Sequence, residues 1–511
     1  MTDPHARPEQ APPSPARPEQ APPSPARPEQ APPSPARPEQ APPSPRAGRR
    51  TLTLYATGSV GMGVWVTVPG LLLLYFLTDV LGVPAAVAGL ALLLPKIVDI
   101  VVHPLLGSRS DRQARVHGHR RRMMRTGLLL GLAMAAMFTV PGQLAGAPAA
   151  LWVGGWLIIG NLLFAAFQVP YLTTPSDLLV GYHERTRVFM FRMALLTIGL
   201  LGAGVAAPAL AAGGGRGDYT RMALLLAVAM TASAAVALRG VRGLTDACGF
   251  RPPDPRAGHS TLADLRIARQ DRNFRALVAS YLFTGTTTHL FLAALPYVTQ
   301  YLFHNAKLTA LFMGLFLGPA MFAGPAWTAW SRRIGKQRGL LLSQAVFATG
   351  SLALLPGALL AGGVGTALTA VVVMAMGIAF SGLQLFAFSM LSDAVNAAGS
   401  SDAVNAANAV NAVGSSDAVN AVNAVNAAGS SKAGAYTGVW TATEATGTAV
   451  GPYLYSAALA LGGFVSSTGG HTTAQSGTAL NALLLGFTVL PAALMAVALW
   501  FQRRCTLDRT P

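Results

Sequence analysis

Residues 93–125 read LLPKIVDIVVHPLLGSRSDRQARVHGHRRRMMR. An apolar run carries an acid, Asp99, and a histidine, His103, one helical turn apart. It is then expected to break into a loop holding seven arginines in the pattern GxxxDR…GxRRR. An ionisable group inside a membrane helix costs roughly 2.5–3.5 kcal/mol on insertion scales, so such groups mark an ion or solute path. The arginines put the turn after this run on the cytoplasmic side. The stretch reads as part of a polytopic membrane protein with a polar path through it.

The rest of the chain agrees. It is 511 residues long, 52% hydrophobic and 11% charged, with a mean hydropathy of +0.45. A soluble chain is about 25% charged, so this is a membrane composition. From Leu52 onward twelve apolar spans follow, near 52–78, 84–107, 126–145, 149–173, 188–212, 221–238, 274–303, 307–330, 339–361, 366–391, 434–462 and 478–501. Each has about the 20 residues that an approximately 30 Å hydrocarbon core requires. The third and fourth merge around Pro148, and the ninth and tenth around residues 362–365. A polar, basic segment, 239–273, separates a first half (51–238) from a second (274–502), with a short tail, 503–511. The expected fold is an all-α membrane protein of two six-helix halves.

Of 37 lysines and arginines, only Arg216, Arg221 and Lys307 fall at odd-numbered connections, and Lys96 and Arg192 fall well inside spans, with Arg275 at the cytoplasmic edge of one. The rest lie in the termini and even-numbered connections, which predicts both termini in the cytoplasm. The net charge of +17 is thus topogenic; basic groups scattered between spans do not form a nucleic-acid surface. Cys248 and Cys505 both fall on the cytoplasmic side, so no disulfide is expected. No cleavable signal peptide is expected, because the first fifty residues have no apolar core.

Two segments are low in complexity. Residues 6–45 are four copies of ARPEQAPPSP, and the tail 1–50 is expected to be a disordered, polyproline-like arm. Residues 392–431 repeat SDAVNA at Ser392, Ser401 and Ser416 and are expected to form a poorly ordered cytoplasmic insertion.

Four blocks carry a family resemblance: YFLTDVLGVPAAVAGL (75–90), the Asp99–Arg122 stretch, QVPYLTTPSDLLVGYHERTRVFMFRM (168–193) and SSKAGAYTGVWTATEATGTAVGPYL (430–454). Together they resemble the glycoside–pentoside–hexuronide:cation symporters of the major facilitator superfamily, over Leu52 to about Arg503. The resemblance implies alternating-access transport of a small organic solute across the cytoplasmic membrane, driven by a cation, by a monomer without cofactors. The family's cation site pairs two aspartates four residues apart on helix 2. Here Asp99 is retained and His103 takes the second position. Sodium wants oxygen ligands, as other hard cations do, whereas a carboxylate beside an imidazole suits a proton. H+ is therefore the expected coupling ion.

The family's sugar-pocket acids are replaced: the helix 1 position falls near Gly63, the helix 4 position at Gln168, and an aromatic position one turn on at Leu172. Arg192 matches a retained helix 5 arginine, with a substrate anion or Asp99 as its expected partner. Helix 11 carries Glu444 where the family often has lysine, which suggests a relocated ion site. Asp99, His103 and Glu444 are the expected coupling residues. Gln168, Tyr171, Arg192, Gln384 and Trp440 are the expected substrate contacts, and Gly107, Asp111 and Arg112 the expected gating loop. Lys96, three residues before Asp99, is expected to form an ion pair with it. Asn161, His289 and Gln300 are further polar groups inside spans. Efflux antiport and a non-transporting sensor paralogue are the competing readings. No nucleophile–base set, phosphate loop or metal-ligand spacing stands out, so neither an enzyme nor a metal site is expected.

Overall fold

The computed structural model describes residues 46–252, 266, 270–360, 362–413, 418–469 and 473–505. At 100, 101, 103, 104, 182, 183, 396–413, 418–435 and 437 it describes the backbone alone. The repeat tail lies outside the described residues.

Helix occupies every expected span. The first rod is α1 (Arg49–Ala56) and α2 (Gly58–Tyr75), prolonged by a π-helical turn, Phe76–Val80. Then come α3 (Ala85–His117), α4 (Arg121–Met124) and α5 (Leu130–Phe138), with a 3-10 turn at Arg125–Leu129 between the last two. The first half closes with α6 (Gly146–Thr173), α7 (Tyr182–Ala211) and α8 (Arg216–Cys248). The second half holds α9 (Arg272–Tyr301), α10 (Leu308–Ile334), α11 (Lys336–Leu359), α12 (Gly362–Val413), α13 (Ala418–Leu461) and α14 (Gly477–Arg503). Among the described residues nine helices are long and apolar enough to cross a membrane. There is no β-strand among them, only two isolated bridges, Leu81–Thr468 and Leu178–Phe250.

Two expectations are corrected. The second span does not break at Gly107. It stays helical to His117 and ends at Gly118, whose φ of 65° is the left-handed cap conformation that glycine adopts without strain. The insertion 392–431 is not a loop where it is described: α12 runs through it to Val413 and α13 resumes at Ala418. Alanine is the strongest helix former, and its density here outweighs the asparagines and serines.

Within the halves, small residues let backbones meet. A Cβ on Gly63 of α2 would stand 2.7 Å from the Gly199 carbonyl carbon of α7. One on Gly451 of α13 would stand 2.6 Å from the Thr286 oxygen of α9. Across the halves, α3 packs on α13, α7 on α10 and α2 on α9. These contacts include Gly89 facing Ser456 and Tyr453, and Gly204 facing Met313 and Leu317.

The two ends of the bundle differ. At one end Ser467 N and Gly469 N donate to Thr78 O and Val80 O, each at 3.0 Å. Ser466 Oγ donates to Val83 O at 2.7 Å, and the Leu81–Thr468 bridge lies beside them. At the other, basic end the described hydrogen bonds and ion pairs each stay within one half, as in Arg120–Asp177 and Lys336–Asp393. Among the described residues the halves are hydrogen-bonded to each other at one end only.

Candidate functional site

The site lies between the halves. Helical periodicity puts Lys96, Asp99 and His103 on one face of α3 and Trp440, Glu444 and Thr448 on one face of α13. Lys96 Nζ bonds Asp99 Oδ2 at 3.0 Å, the expected pair, and the Asp99 carboxylate is buried. The same ammonium lies within electrostatic range of Glu444 and of His289 on α9. His289 Nδ1 donates to Gly285 O at 2.8 Å, and its Nε2 stands 3.3 Å from Thr448 Oγ1. The cluster thus joins a cation and an acid of the first half to an acid and an imidazole of the second. The side chain of His103 lies outside the described residues; its backbone is helical, one turn beyond Asp99.

Beside Glu444 is an aromatic wall. Trp440 stacks on Tyr281 with centroids 3.9 Å apart and an interplanar angle of 17°, and Phe388 closes on it at 5.7 Å. The Trp440 indole Nε1 is buried with no hydrogen-bond partner among the described residues. Gln384 and Gln168 are half-buried on α12 and α6. Arg192, on α7, does not pair with Asp99. Its guanidinium sits over the Phe189 ring at 5.2 Å and near Tyr55 and Tyr171, and its buried Nε has no hydrogen-bond partner among the described residues.

Tyr171 does not line this site. It is fully buried, stacked on Tyr55 at 4.7 Å, and each tyrosine hydroxyl donates to the other residue's carbonyl at 2.9 Å. Ser59 Oγ, 3.0 Å away, takes up the remaining lone pair. The ring and hydroxyl fasten α1 to α6.

The expected gating loop is also redrawn. Gly107, Asp111 and Arg112 ride on the helical extension of α3, and Arg112 is exposed. The buried arginine is Arg120, whose guanidinium bonds Asp111 Oδ1 at 2.6 Å, Ser110 Oγ at 2.9 Å and Asp177 Oδ2 at 2.5 Å. Burial opposes its charge, but the two carboxylates outweigh that and hold the guanidinium above its ordinary value. Sequence reading missed Arg120 and Asp177. The signal was present as the second arginine block and the PSD of the third family block, but their proximity is purely tertiary. It also passed over Asp79, within the first block.

Two helical bundles, joined at one end and carrying ionisable groups where they meet, make this a polytopic membrane transport protein of the major facilitator fold. The chain belongs to the family described as MFS/sugar transport protein, which it matches over residues 54–415 and 416–509. It is 32% identical over 152 residues to the uncharacterised symporter sll1374 of Synechocystis sp., a stretch covering 28% of each chain. It is 28% identical over 156 residues to the putative glycoside/cation symporter YagG of Escherichia coli, covering 30% of this chain and 34% of that one. The chain thus spans about a third or less of each of these relatives. Solved structures share the fold. A bacterial homologue of the lysosomal transporter Spinster has a TM-score of 0.63 at 12% identity, covering 90% of this chain and 98% of that one. A peptide transporter, POT, has a TM-score of 0.59 at 14% identity, covering 90% and 96%.

Proposed function

We propose that this protein is a proton-coupled symporter of a small sugar-like or glycoside-like solute, working by alternating access in the cytoplasmic membrane with both termini inside. The observation that carries the reading is the buried Asp99 carboxylate, paired with Lys96, whose ammonium is within electrostatic range of Glu444 and His289 in the other half. An ammonium at 3.0 Å already occupies the carboxylate, which leaves little for a sodium ion to gain there but lets a proton compete. A proton on Asp99 frees Lys96 to turn toward Glu444, so loading one half changes its attraction for the other. That is a coupling device with two charge arrangements. His103, one turn on, is the second proton carrier of the pair. The name of the Escherichia coli relative supports a glycoside and a cation.

Trp440, Gln384, Gln168 and Arg192 are the proposed substrate contacts: an aromatic face for a sugar ring and amide and guanidinium groups for its oxygens. With the arginine-rich end in the cytoplasm, the sealed end faces outward and the structure is the inward-open form. Asp99→Asn in proteoliposomes should lose proton-driven accumulation and keep substrate exchange across the membrane. Normal accumulation by Asp99→Asn under a proton gradient would refute the coupling role.

A further inference from the structure

A second buried acid sits far from Lys96. Asp79 ends the first rod inside the sealed end, and it is 1% exposed. Its carboxylate is held by hydroxyls: Tyr301 Oη donates to Oδ1 at 2.5 Å and Thr78 Oγ1 to Oδ2 at 2.6 Å. Thr78 in turn lies 2.7 Å from Tyr297 Oη, and Ser467 Oγ donates to the Asp79 carbonyl at 3.1 Å. Tyr301, Tyr297 and Ser467 all belong to the second half, so these bonds exist only while the seal is shut.

The surroundings are phenolic on every side. Tyr75 comes from α2, Tyr219 from α8, Tyr297 and Tyr301 from α9 and Tyr455 from α13, all within electrostatic range of Asp79. Tyr219 also feels a further acid, Asp218, which is itself paired with Arg221. No lysine, arginine or histidine among the described residues forms an ion pair with Asp79, in contrast to Asp99. A buried carboxylate with neutral partners alone is far costlier than a buried carboxylic acid. A cavity of about 110 Å³, lined by Leu72, Tyr75, Tyr219, Gln300 and Thr309, lies beside the cluster and gives water a way to its edge.

We propose that Asp79 is a second proton-binding site, built into the seal, which takes up a proton from the outer solution as the halves close and gives it back as they part. On closure the carboxylate oxygen gains a proton from water and the acid enters the tyrosine cage. On opening it loses Tyr301, Tyr297 and Ser467, is rehydrated and ionises. The protonated acid is the lock, so an acidic exterior favours the inward-open form. This site is separate from the Asp99 cluster and rests on the proposed orientation only for which solution supplies the proton.

The test uses a cysteine at Leu72, buried in the closed seal and lining the cavity, in the full chain with Cys248 and Cys505 replaced by alanine. An impermeant thiol reagent is applied from each face in turn, with Arg112→Cys marking the basic face. Labelling of Leu72→Cys, divided at each pH by that of the exposed Arg112→Cys so that the rising thiolate fraction cancels, should rise with pH by up to about tenfold per unit, the slope of a single linked proton; this ratio is the slope read in every variant. Asp79→Asn should label slowly with no pH slope, because the amide keeps the cage filled and cannot ionise. The same slope in Asp79→Asn, or a flat response with Asp79 present, overturns the proposal. Should Asp79→Asn fail to insert, Tyr301→Phe carries the test, together with His304→Gln, which removes the histidine three residues beyond Tyr301. Both should keep the slope, with faster labelling in Tyr301→Phe, and loss of the slope in either assigns the titration elsewhere and overturns it. Labelling of Arg112→Cys from the outer face refutes the orientation, whereas the slope judges Asp79 on either face.

Discussion

The two ends of the bundle are held by different chemistry. At the sealed end the halves meet through backbone amides and hydroxyls: Ser467 and Gly469 on Thr78 and Val80, Tyr301 on Asp79. At the basic end ion pairs tie each half to itself, a buried one in the first, where Arg120 binds Asp111 and Asp177, and a half-exposed one in the second, where Lys336 binds Asp393. Neutral hydrogen bonds are worth about 0.5–1.5 kcal/mol net, so a few can be exchanged for water at little cost. Buried ion pairs cannot be opened so cheaply. Under the proposed alternating access, a contact that must break every cycle uses the first kind, and one that keeps a half rigid uses the second.

The largest effect should come from removing the buried cation of that rigid clamp. Arg120→Ala leaves Asp111 and Asp177 facing each other, and stranding a buried charge costs about 3–5 kcal/mol. Thermal unfolding in detergent should show a sharp loss of stability, with Arg120→Lys falling between the two because lysine lacks the planar fork. An Arg120→Ala protein as stable as the parent would place the clamp's strength elsewhere and remove one side of the comparison.

A smaller effect, on the gate and not on the fold, should follow at Gly82. Its φ is 65°, and a Cβ there would stand 2.6 Å from the Thr468 methyl across the seal. Gly82→Ala overpacks the seal against Thr468 at a cost of about 1–2 kcal/mol. Its clash is with the opposite half, so most of the effect should fall on the closed state. Labelling of Leu72→Cys should rise about five- to thirtyfold while the melting temperature moves little. Destabilisation without added access would mean that the seal belongs to the folded core.

The fold was legible because the membrane demands it: apolar spans of a fixed length and arginines on one side read directly from residue types. The Lys96–Asp99 pair was legible too, since i and i+3 on a helix are neighbours. What could not be read depended on which span lies beside which. Arg112 was expected in a gating loop because it follows Asp111 in the GxxxDR pattern, yet a continuous helix leaves it exposed and a chain reversal brings Arg120 to Asp111 instead. Tyr171 looked like a pocket residue because it is polar in an apolar span, and only the approach of Tyr55 shows that its hydroxyl is spent on packing. His289 was one polar residue among several until α13 and α3 brought Thr448 and Lys96 to it. The insertion misled in the opposite way: asparagine and serine counted as loop formers outside a membrane, where alanine's propensity had nothing to overcome.

The smallest effect should come from the second clamp. Lys336 Nζ bonds both carboxylate oxygens of Asp393, at 2.8 and 2.6 Å, but the two side chains remain 40% and 38% exposed. Water screens such a pair, and exposed ion pairs are worth about 0.2–1 kcal/mol. Lys336→Ala should therefore shift the melting temperature in detergent by little, and raising the salt concentration should shrink even that difference. The parent and Arg120→Ala should respond to salt far less, because Arg120 is 4% exposed. If Lys336→Ala destabilised as strongly as Arg120→Ala, burial would not be what separates the two clamps. The second half would then depend on an exposed charge in a way its geometry does not explain.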